Sequence, residues 1–140
     1  MNTLKIAIQK SGRLHDESIQ ILKDCGISVY NGNDQLKVTA SNFPLEVYYL
    51  RNSDIPQYLI DGVVDIAIVG DNLLVEKGQN IQIAEKLGFS KCKVSVAVPK
   101  NFNYNSIQDL NGLRVATSYP KTVVDYFSSK GISVDIHQIS

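Results

Sequence analysis

The sequence predicts an α/β protein built on a parallel sheet, and three observations support this fold class. Apolar residues alternate or run together in short segments typical of strands, and they recur at helical spacing in the segments between. Residues 63–69 are almost entirely apolar, as in a parallel strand covered on both faces. Glycine follows most of the helical segments, as expected at helix C-termini. Strands that alternate with helices in this way favour parallel pairing.

The first element of the pattern is a strand, a loop and a helix start within residues 4–14. Alternate apolar residues in the first half of this segment predict the strand. A helix is predicted from Leu14 onward, because apolar residues then recur at helical spacing until Gly26. His15 falls in the first turn of this helix and is expected to be solvated.

The loop between this strand and helix reads Lys10-Ser11-Gly12-Arg13. A loop that leads from a strand into a helix N-terminus presents N–H groups at the positive end of the helix dipole, which suits an anion. Lys10 and Arg13 add two cations, and Gly12 allows close approach. Ser11 either caps the helix or meets a phosphate. An ordinary capped helix start with solvated charges explains these four residues equally well.

The next segments predict a hairpin, a strand and a helix. Residues 27–30 and 36–40 are predicted as short strands joined by a tight turn at 31–34, because Asn-Gly and Asn-Asp steps favour reversal. Residues 45–51 are rich in strand formers. The segment 52–56 then predicts a helix start with an early proline.

A second polar loop, at residues 70–72, follows the apolar run at 63–69 and precedes a short helix at 73–77. Because ligands of open parallel sheets bind outside the carboxyl ends of strands, we expect this loop and the loop at 10–13 to face one crevice. Asp71 is a helix cap, a ligand contact or both, and a lone Asp after Gly is more often a cap. Asp65 either needs a partner in the interior or reaches solvent near the strand start.

The pattern of apolar and polar residues changes at residues 88–92, where we place a boundary between two lobes. Beyond it, the alternation at 93–98 predicts a strand, and Ser106 with Asp109 resembles a capping box that opens a short helix. A third loop with two hydroxyls at a helix entrance follows a predicted strand at 113–117. The last helix is predicted at 121–130, with Pro120 suited to its first turn and with Val123, Val124 and Phe127 on its apolar side. A final strand begins at 132.

Composition narrows the function classes. Fourteen basic residues balance fourteen acidic ones, which argues against a nucleic-acid binder that neutralises phosphates. No apolar run approaches the length of a membrane span and the N-terminus shows no signal-peptide pattern, so we expect a cytoplasmic protein without membrane contact. Cys25 and Cys92 fit no zinc pattern and are expected to be buried thiols. His15 and His137 have no second ligand at a useful spacing, so no protein metal site is expected.

Four segments, in this order along the chain, resemble the ATP phosphoribosyltransferase family, which joins ATP to phosphoribosyl pyrophosphate (PRPP) at the start of histidine biosynthesis. The Lys-Ser-Gly-Arg-Leu form of the first segment resembles the long-form branch, whose chains carry a C-terminal regulatory domain for histidine feedback. The resemblance extends over essentially all 140 residues. The four segments are 6–14, 54–56, 61–70 and 116–120.

The resemblance implies a two-lobed α/β fold of the periplasmic-binding-protein type II kind, with the ligand between the lobes. Residues 1–90 would form the first lobe on the nucleotide side, and residues 91–140 would begin a second lobe that remains incomplete. In the family, the chain continues into a glycine-rich segment that binds PRPP, and this sequence stops before such a segment. We therefore expect an inactive or partial fragment of such an enzyme.

The resemblance also implies which residues bind the substrates. Lys10 and Arg13 would meet phosphates, and Tyr119 would stack on a base or pack beside Pro120. The nucleotide and its phosphates would be bound by Lys10, Ser11, Gly12, Arg13, Gly70 and Asp71, and the cleft wall of the second lobe would be formed by Thr117, Ser118 and Tyr119.

In the family's reaction, N1 of the adenine of ATP displaces pyrophosphate from the anomeric carbon of PRPP, with Mg²⁺ bound through the substrate phosphates. This chemistry requires alignment and charge stabilisation rather than a covalent catalytic residue. Family members form dimers and hexamers, so the resemblance implies a homo-oligomer.

Two other classes of protein share parts of this pattern. Periplasmic receptors and transcription regulators have lobes with similar apolar segments, so the fold alone does not decide function and a small-ligand binding module is an alternative. The loop at residues 10–13 suits a polyphosphate better than an amino acid or a sugar. A phosphoribosyltransferase of the other, classical fold would need an acidic pair at a strand end and a Thr-Gly phosphate loop, which this sequence lacks.

Overall fold

The computed structural model of this protein describes residues 3–29, 36–77, 80–89 and 94–139. The chain divides into two compact units, Met1–Cys92 and Lys93–Ser140, here called unit 1 and unit 2. Each unit has its own strands and its own buried core. No helix among the described residues is both long enough and apolar enough to cross a membrane.

Unit 1 contains a four-stranded mixed sheet with the strand order β2-β3-β1-β4. Strand β1 pairs in parallel with β3 on one side and with β4 on the other, whereas β2 pairs antiparallel with β3. The carboxyl ends of β3, β1 and β4 therefore lie at one edge of the sheet. The strands are β1 (Leu4–Gln9), β2 (Lys37–Thr39), β3 (Leu45–Leu50) and β4 (Ile66–Ala67).

The sheet of unit 1 has an apolar cluster on each face. Ile6 and Ile8 of β1 belong to one cluster and Ala7 belongs to the other, because successive side chains of a strand point to opposite faces. Leu22 of α1 packs in the first cluster and Ile55 of α2 in the second. The helices are α1 (Arg13–Asp24), α2 (Ile55–Ile60), which follows a 3₁₀ turn at Asn52–Asp54, and α3 (Asp71–Lys77).

Unit 2 contains two parallel strands, β5 (Arg114–Thr117) and β6 (Asp135–Gln138), with helix α4 (Pro120–Ser129) between them in sequence. Its core is formed by Leu110, Phe127 and Ile132. A 3₁₀ helix spans Ile107–Leu110. The predicted capping box of Ser106 and Asp109 at its start is confirmed. The Asp109 carboxylate accepts the N–H groups of Asn105 and Ser106 at 2.8 and 3.1 Å, and these bonds lower the pKa of Asp109.

The predicted hairpin is wrong in its pairing. Residues 36–40 do contain a strand, β2, but its partner among the described residues is β3. Of the predicted partner strand at 27–30, the structure describes residues 27–29. Residues 27–29 form no strand, and Ser28 contributes its carbonyl to a single backbone bond from Ser41 N–H, at 3.0 Å. The predicted turn at 31–34 lies outside the described residues. Local sequence signals predicted a strand at β2 but could not specify which neighbour the strand joins.

Two predicted strands are shorter or missing. The apolar run at 63–69 yields only Ile66–Ala67, and Ile66 is 44% exposed, so this strand is not covered on both faces. Among the described strands β4 has one neighbour, β1, which explains the exposure. Residues 94–98 are not in a strand, and Val96 is 51% exposed. A segment with alternating apolar residues forms a strand only where a neighbouring strand supplies hydrogen bonds and one face is covered.

Two smaller expectations about side chains are also wrong. Cys25 follows α1 and is exposed, because the buried face of α1 consists of His15, Ser18 and Leu22 instead. Val124, predicted on the apolar side of the last helix, is 43% exposed, whereas Phe127 three residues later is buried. Cys92 lies outside the described residues.

Candidate functional site

The site begins with the edge of the sheet where three parallel strands of unit 1 end. Lys10 N–H donates to the Leu50 carbonyl at 2.9 Å, so the ladder between β1 and β3 continues to the first residue of the loop. On the other side, Ile68 N–H donates to the Ala7 carbonyl at 3.1 Å. These bonds bring the loop at 10–13 and the segment that leads from β4 to Gly70 and Asp71 to the same edge.

The loop between β1 and α1 has a backbone that only glycine adopts readily. Gly12 is the N-cap residue of α1, with φ 94° and ψ −172°. No side chain among the described residues caps this helix, so the interpretation of Ser11 as the helix cap is wrong. Ser11 and Lys10 are exposed. The N-terminus of this 12-residue helix, with the positive end of its dipole, therefore lies beside an exposed hydroxyl and two exposed cations.

Arg13 is the first residue of α1, and its side chain is 76% exposed. Its Nε lies 3.9 Å from Glu17 Oε1 one turn along the helix. An exposed pair at this distance is weak, so an anion can displace Glu17 at small energetic cost. Arg13 is thus available to a phosphate.

His15 is buried, which contradicts the expectation that it is solvated. Its ring is 6% exposed, and Nδ1 lies 2.7 Å from the main-chain oxygen of Gln9. Since a carbonyl oxygen only accepts, Nδ1 carries the proton. The ring lies 5.6 Å from that of Tyr49, whose hydroxyl is buried and has its pKa raised by that burial. His15 therefore fixes the base of the loop rather than facing solvent.

The second predicted loop leads directly into α3. The Gly70 carbonyl accepts the N–H groups of Leu73 and Leu74 at 3.1 and 3.3 Å, so the helix is anchored on Gly70. Asp71 is the first residue of α3 and is exposed. At this position the positive end of the helix dipole stabilises its carboxylate. Asn72 Oδ1 accepts Leu73 N–H at 2.9 Å.

Asp65 lies away from this edge. It is exposed, and its Oδ2 accepts the N–H of Lys5 near the start of β1 at 2.9 Å. Of the two interpretations of Asp65, the structure supports the one in which it reaches solvent. It belongs to the opposite end of the strands from the candidate site.

The third predicted loop lies in unit 2, between β5 and α4. Thr117 Oγ1 accepts Tyr119 N–H at 2.9 Å, which closes a small turn before the helix. Thr117 and Tyr119 are half-buried and Ser118 is exposed. Pro120 is the first residue of α4, as predicted from its fixed φ.

Three residues at the edge in unit 1 were missed at the level of sequence. Arg51 directly follows β3, as Lys10 follows β1, and is exposed. Gln9 and Asn52 join the same edge through a side-chain hydrogen bond of 3.1 Å. The sequence signal for Arg51 is its position at the end of the strand predicted at 45–51, because residues at the carboxyl ends of parallel strands line a crevice.

Unit 2 also contains an apolar groove of about 460 Å³. No charged side chain lines it among the described residues, so it is not suited to a phosphate. In the part of the chain that the structure describes, no three His, Cys, Asp or Glu side chains cluster in a way that could hold a metal ion. The groove's lining includes Val94, Val96, Val98, Tyr104, Tyr126 and Phe127.

Comparison with known proteins identifies the family. The family model described as ATP phosphoribosyltransferase matches residues 51–140. The ATP phosphoribosyltransferases of Cytophaga hutchinsonii and Parabacteroides distasonis are 50% and 44% identical over 137 residues. Each of these alignments includes 98% of this chain and 48% of the relative, so the chain spans about half the length of the curated relatives that it matches.

A solved structure shares the fold. The structure titled ATP phosphoribosyl transferase (HisG:HisZ) complex from Thermotoga maritima aligns with a TM-score of 0.66 at 23% identity. The alignment includes 99% of this chain and 65% of that one. With a family model that matches more than half of its residues, this chain belongs to the ATP phosphoribosyltransferase family.

Proposed function

We propose that this chain carries the nucleotide-binding part of an ATP phosphoribosyltransferase. The reaction condenses ATP with PRPP to N1-(5-phosphoribosyl)-ATP and pyrophosphate, the first step of histidine biosynthesis. The bond from N1 of adenine to the anomeric carbon forms as the bond from that carbon to pyrophosphate breaks. Membership of the family supports the reaction, and the edge of the sheet in unit 1 supports the location of the nucleotide.

The observation that carries the proposal is that three exposed cations lie on the segments that follow β1 and β3, whose carboxyl ends share one edge of the sheet. Lys10 follows β1, Arg13 begins α1 and Arg51 follows β3, and all three are exposed. The uncapped N-terminus of α1 lies in the same loop. A polyphosphate matches this combination of fixed N–H donors and cations better than an uncharged ligand does.

The proposed roles follow from this geometry. Lys10 and Arg13 bind phosphates, Ser11 and Gly12 offer a hydroxyl and close backbone approach, and Gly70 and Asp71 lie beside the nucleotide. No covalent intermediate is required, because alignment and the neutralisation of charge on the leaving pyrophosphate lower the barrier. The assignment of Thr117, Ser118 and Tyr119 to a second wall of the site stays a prediction, as does the periplasmic-binding-protein type II fold with an incomplete second lobe at 91–140.

Magnesium fits this site as a companion of the substrate. Mg²⁺ binds through one or two carboxylates together with substrate phosphates and water, rather than in a cage of protein ligands. Asp71 provides a carboxylate at the edge where the phosphates are placed. When bound, the ion neutralises phosphate charge, and the residues of this chain orient the nucleotide around it.

The wider context of the reaction belongs to the same proposal. PRPP is the second substrate, and histidine would inhibit the full-length family member. The structural relative from Thermotoga maritima is named as a complex, which supports an assembly of several chains, and we propose a homo-oligomer. A cytoplasmic location agrees with ATP as a substrate.

Calorimetric titration of this chain with ATP and Mg²⁺ tests the proposal. Arg13→Ala removes a charge-assisted hydrogen bond that contributes about 1.5–3 kcal/mol, so we expect affinity to fall roughly tenfold or more. Arg114→Ala is the matched control, because Arg114 is exposed at the amino end of β5. Absence of binding by the folded chain, or equal affinity of the Arg13 and Arg114 variants, would contradict the proposed site.

A further inference from the structure

Gln9 is the last residue of β1 and is only 5% exposed. A buried carboxamide is unfavourable unless its polar atoms form hydrogen bonds. Its Nε2 donates to Asn52 Oδ1 at 3.1 Å and to the Ile68 carbonyl at 2.8 Å. Asn52 lies just beyond β3, and Ile68 lies just beyond β4. One side chain at the end of β1 thus bonds to residues that follow the two other parallel strands, β3 and β4.

The orientation of this carboxamide is determined by its partners. The Ile68 carbonyl can only accept, so the nitrogen of Gln9 must face it. Asn52 consequently presents its oxygen to the same nitrogen, and both hydrogens of the Gln9 amide are used. Oε1 of Gln9 is buried and has no hydrogen-bond partner among the described residues. An apolar side chain of the same volume would fill the space without burying an unpaired oxygen, so packing alone does not account for glutamine here.

The main-chain carbonyl of Gln9 also links β1 to helix α1. Its carbonyl accepts the hydrogen bond from His15 Nδ1 at 2.7 Å, and His15 lies in the first turn of α1. The loop that bears Lys10 and Arg13 lies between these two bonded residues. The main chain of Gln9 is therefore bonded to the helix that follows this loop. Its side chain is bonded to the segments that contain Arg51 and Gly70.

We propose that Gln9 is a positioning residue for nucleotide binding: its carboxamide sets the separation between the loop at 10–13 and the segments that follow β3 and β4, so that cations from different strands meet one polyphosphate. This inference rests on the proposed function. It assigns Gln9 no contact with the nucleotide, since both of its amide hydrogens are engaged by protein acceptors.

The test is a double-mutant cycle measured by calorimetric titration with ATP and Mg²⁺. Arg13→Ala is measured in the native background and in Gln9→Met, which preserves the length of the side chain but removes both donors. If Gln9 positions the loop, Arg13 contributes less once Gln9 is replaced, and the effect of Arg13→Ala falls from roughly tenfold to threefold or less. Gln20→Met is the matched control, since Gln20 is exposed on α1 and donates to Asp24 one turn along, at 2.9 Å. The control keeps the full effect of Arg13→Ala.

Gln9→Glu provides a second, nearly isosteric variant in case Gln9→Met does not fold. It keeps the shape and Oε1 of the side chain, and replaces the donating nitrogen by an oxygen that the Ile68 carbonyl repels. The same loss of coupling is expected. An unchanged tenfold effect of Arg13→Ala in both Gln9 backgrounds would overturn the inference and leave the proposed nucleotide site intact. Failure of Arg13→Ala to weaken binding in the native background would overturn both.

Discussion

His15 Nδ1 lies 2.7 Å from the main-chain oxygen of Gln9, so the first turn of α1 is hydrogen-bonded to the last residue of β1. The bond is buried and spans the loop of the candidate site. A helix start that is otherwise uncapped by side chains is thus fixed from its inner face. The candidate anion site is therefore hydrogen-bonded to the core at its base and exposed at its rim.

Replacement of His15 by alanine removes this bond and leaves the Gln9 carbonyl unsatisfied in the interior. We expect the free energy of unfolding of unit 1 to fall by about 1–3 kcal/mol, measured by chemical denaturation. The exposed His137 of β6 provides the control, and His137→Ala should change stability by less than about 0.5 kcal/mol. Equal stability of the two variants would show that the buried bond has no net effect.

Gly12→Ala tests the backbone of the loop. A Cβ at Gly12 would meet no atom within 4 Å, so the expected loss of about 1–3 kcal/mol comes from the φ of 94° alone. We expect ATP binding to weaken as well, because the loop must move to relieve this strain.

The control for Gly12 is Gly131→Ala in unit 2, where φ is 71° and the space for a Cβ is likewise open. This variant should lose stability but keep the affinity for ATP, since Gly131 follows α4 of unit 2 and belongs to none of the loops assigned to the nucleotide. Unfolding measurements and titrations on both variants separate strain from binding. Equal ATP affinity of the two would argue against a role of the loop in binding.

Arg51→Ala should weaken ATP binding about tenfold, as a second cation at the same edge would be lost. Arg51 directly follows β3, next to the residue whose carbonyl accepts Lys10 N–H. Arg114→Ala again serves as the control in the calorimetric titration. An unchanged affinity in Arg51→Ala would restrict the phosphate contacts to the loop at 10–13.

Asp109 predicts a pH dependence for unit 2. The N–H groups of Asn105 and Ser106 lower the pKa of Asp109 below its ordinary value of 3.8 in the folded state. These bonds therefore stabilise the fold above the ordinary pKa, and this stabilisation is lost as pH falls through the lower pKa of the folded state. Asp109→Asn should flatten the decline in thermal stability below about pH 4. An acid limb identical to that of the native chain would contradict this assignment.

The elements that local signals specify were predictable. The alternation that ends at Gln9, the polar loop and the helical spacing from Leu14 placed β1, the candidate anion loop and α1 close to their observed bounds. Pro120 and the capping box of Ser106 with Asp109 did the same in unit 2. Each of these signals acts within a few residues of the structure that it determines.

Features that depend on distant partners were not predictable. The pairing of β2 with β3 and the short length of β4 depend on which strands become neighbours, which no local pattern records. His15 and Ser18 were not predicted on the buried face of α1 because polar residues are usually exposed, although their spacing with Leu22 is helical. The role of Gln9 needed the structure, since its partners lie beyond two other strands.

The order of the strands also has a kinetic consequence. β2 and β3 are antiparallel and separated by a short connection, so this hairpin can form early, on the microsecond timescale of such elements. The contacts of β1 with β3 and β4 join distant parts of the chain and require larger loops to close, which is slow. Since Lys10 follows β1 and Arg51 follows β3, these cations of the candidate site are brought to one edge only after β1 has paired with β3. We therefore expect competence to bind a nucleotide to be acquired late in folding, after most of the secondary structure has formed.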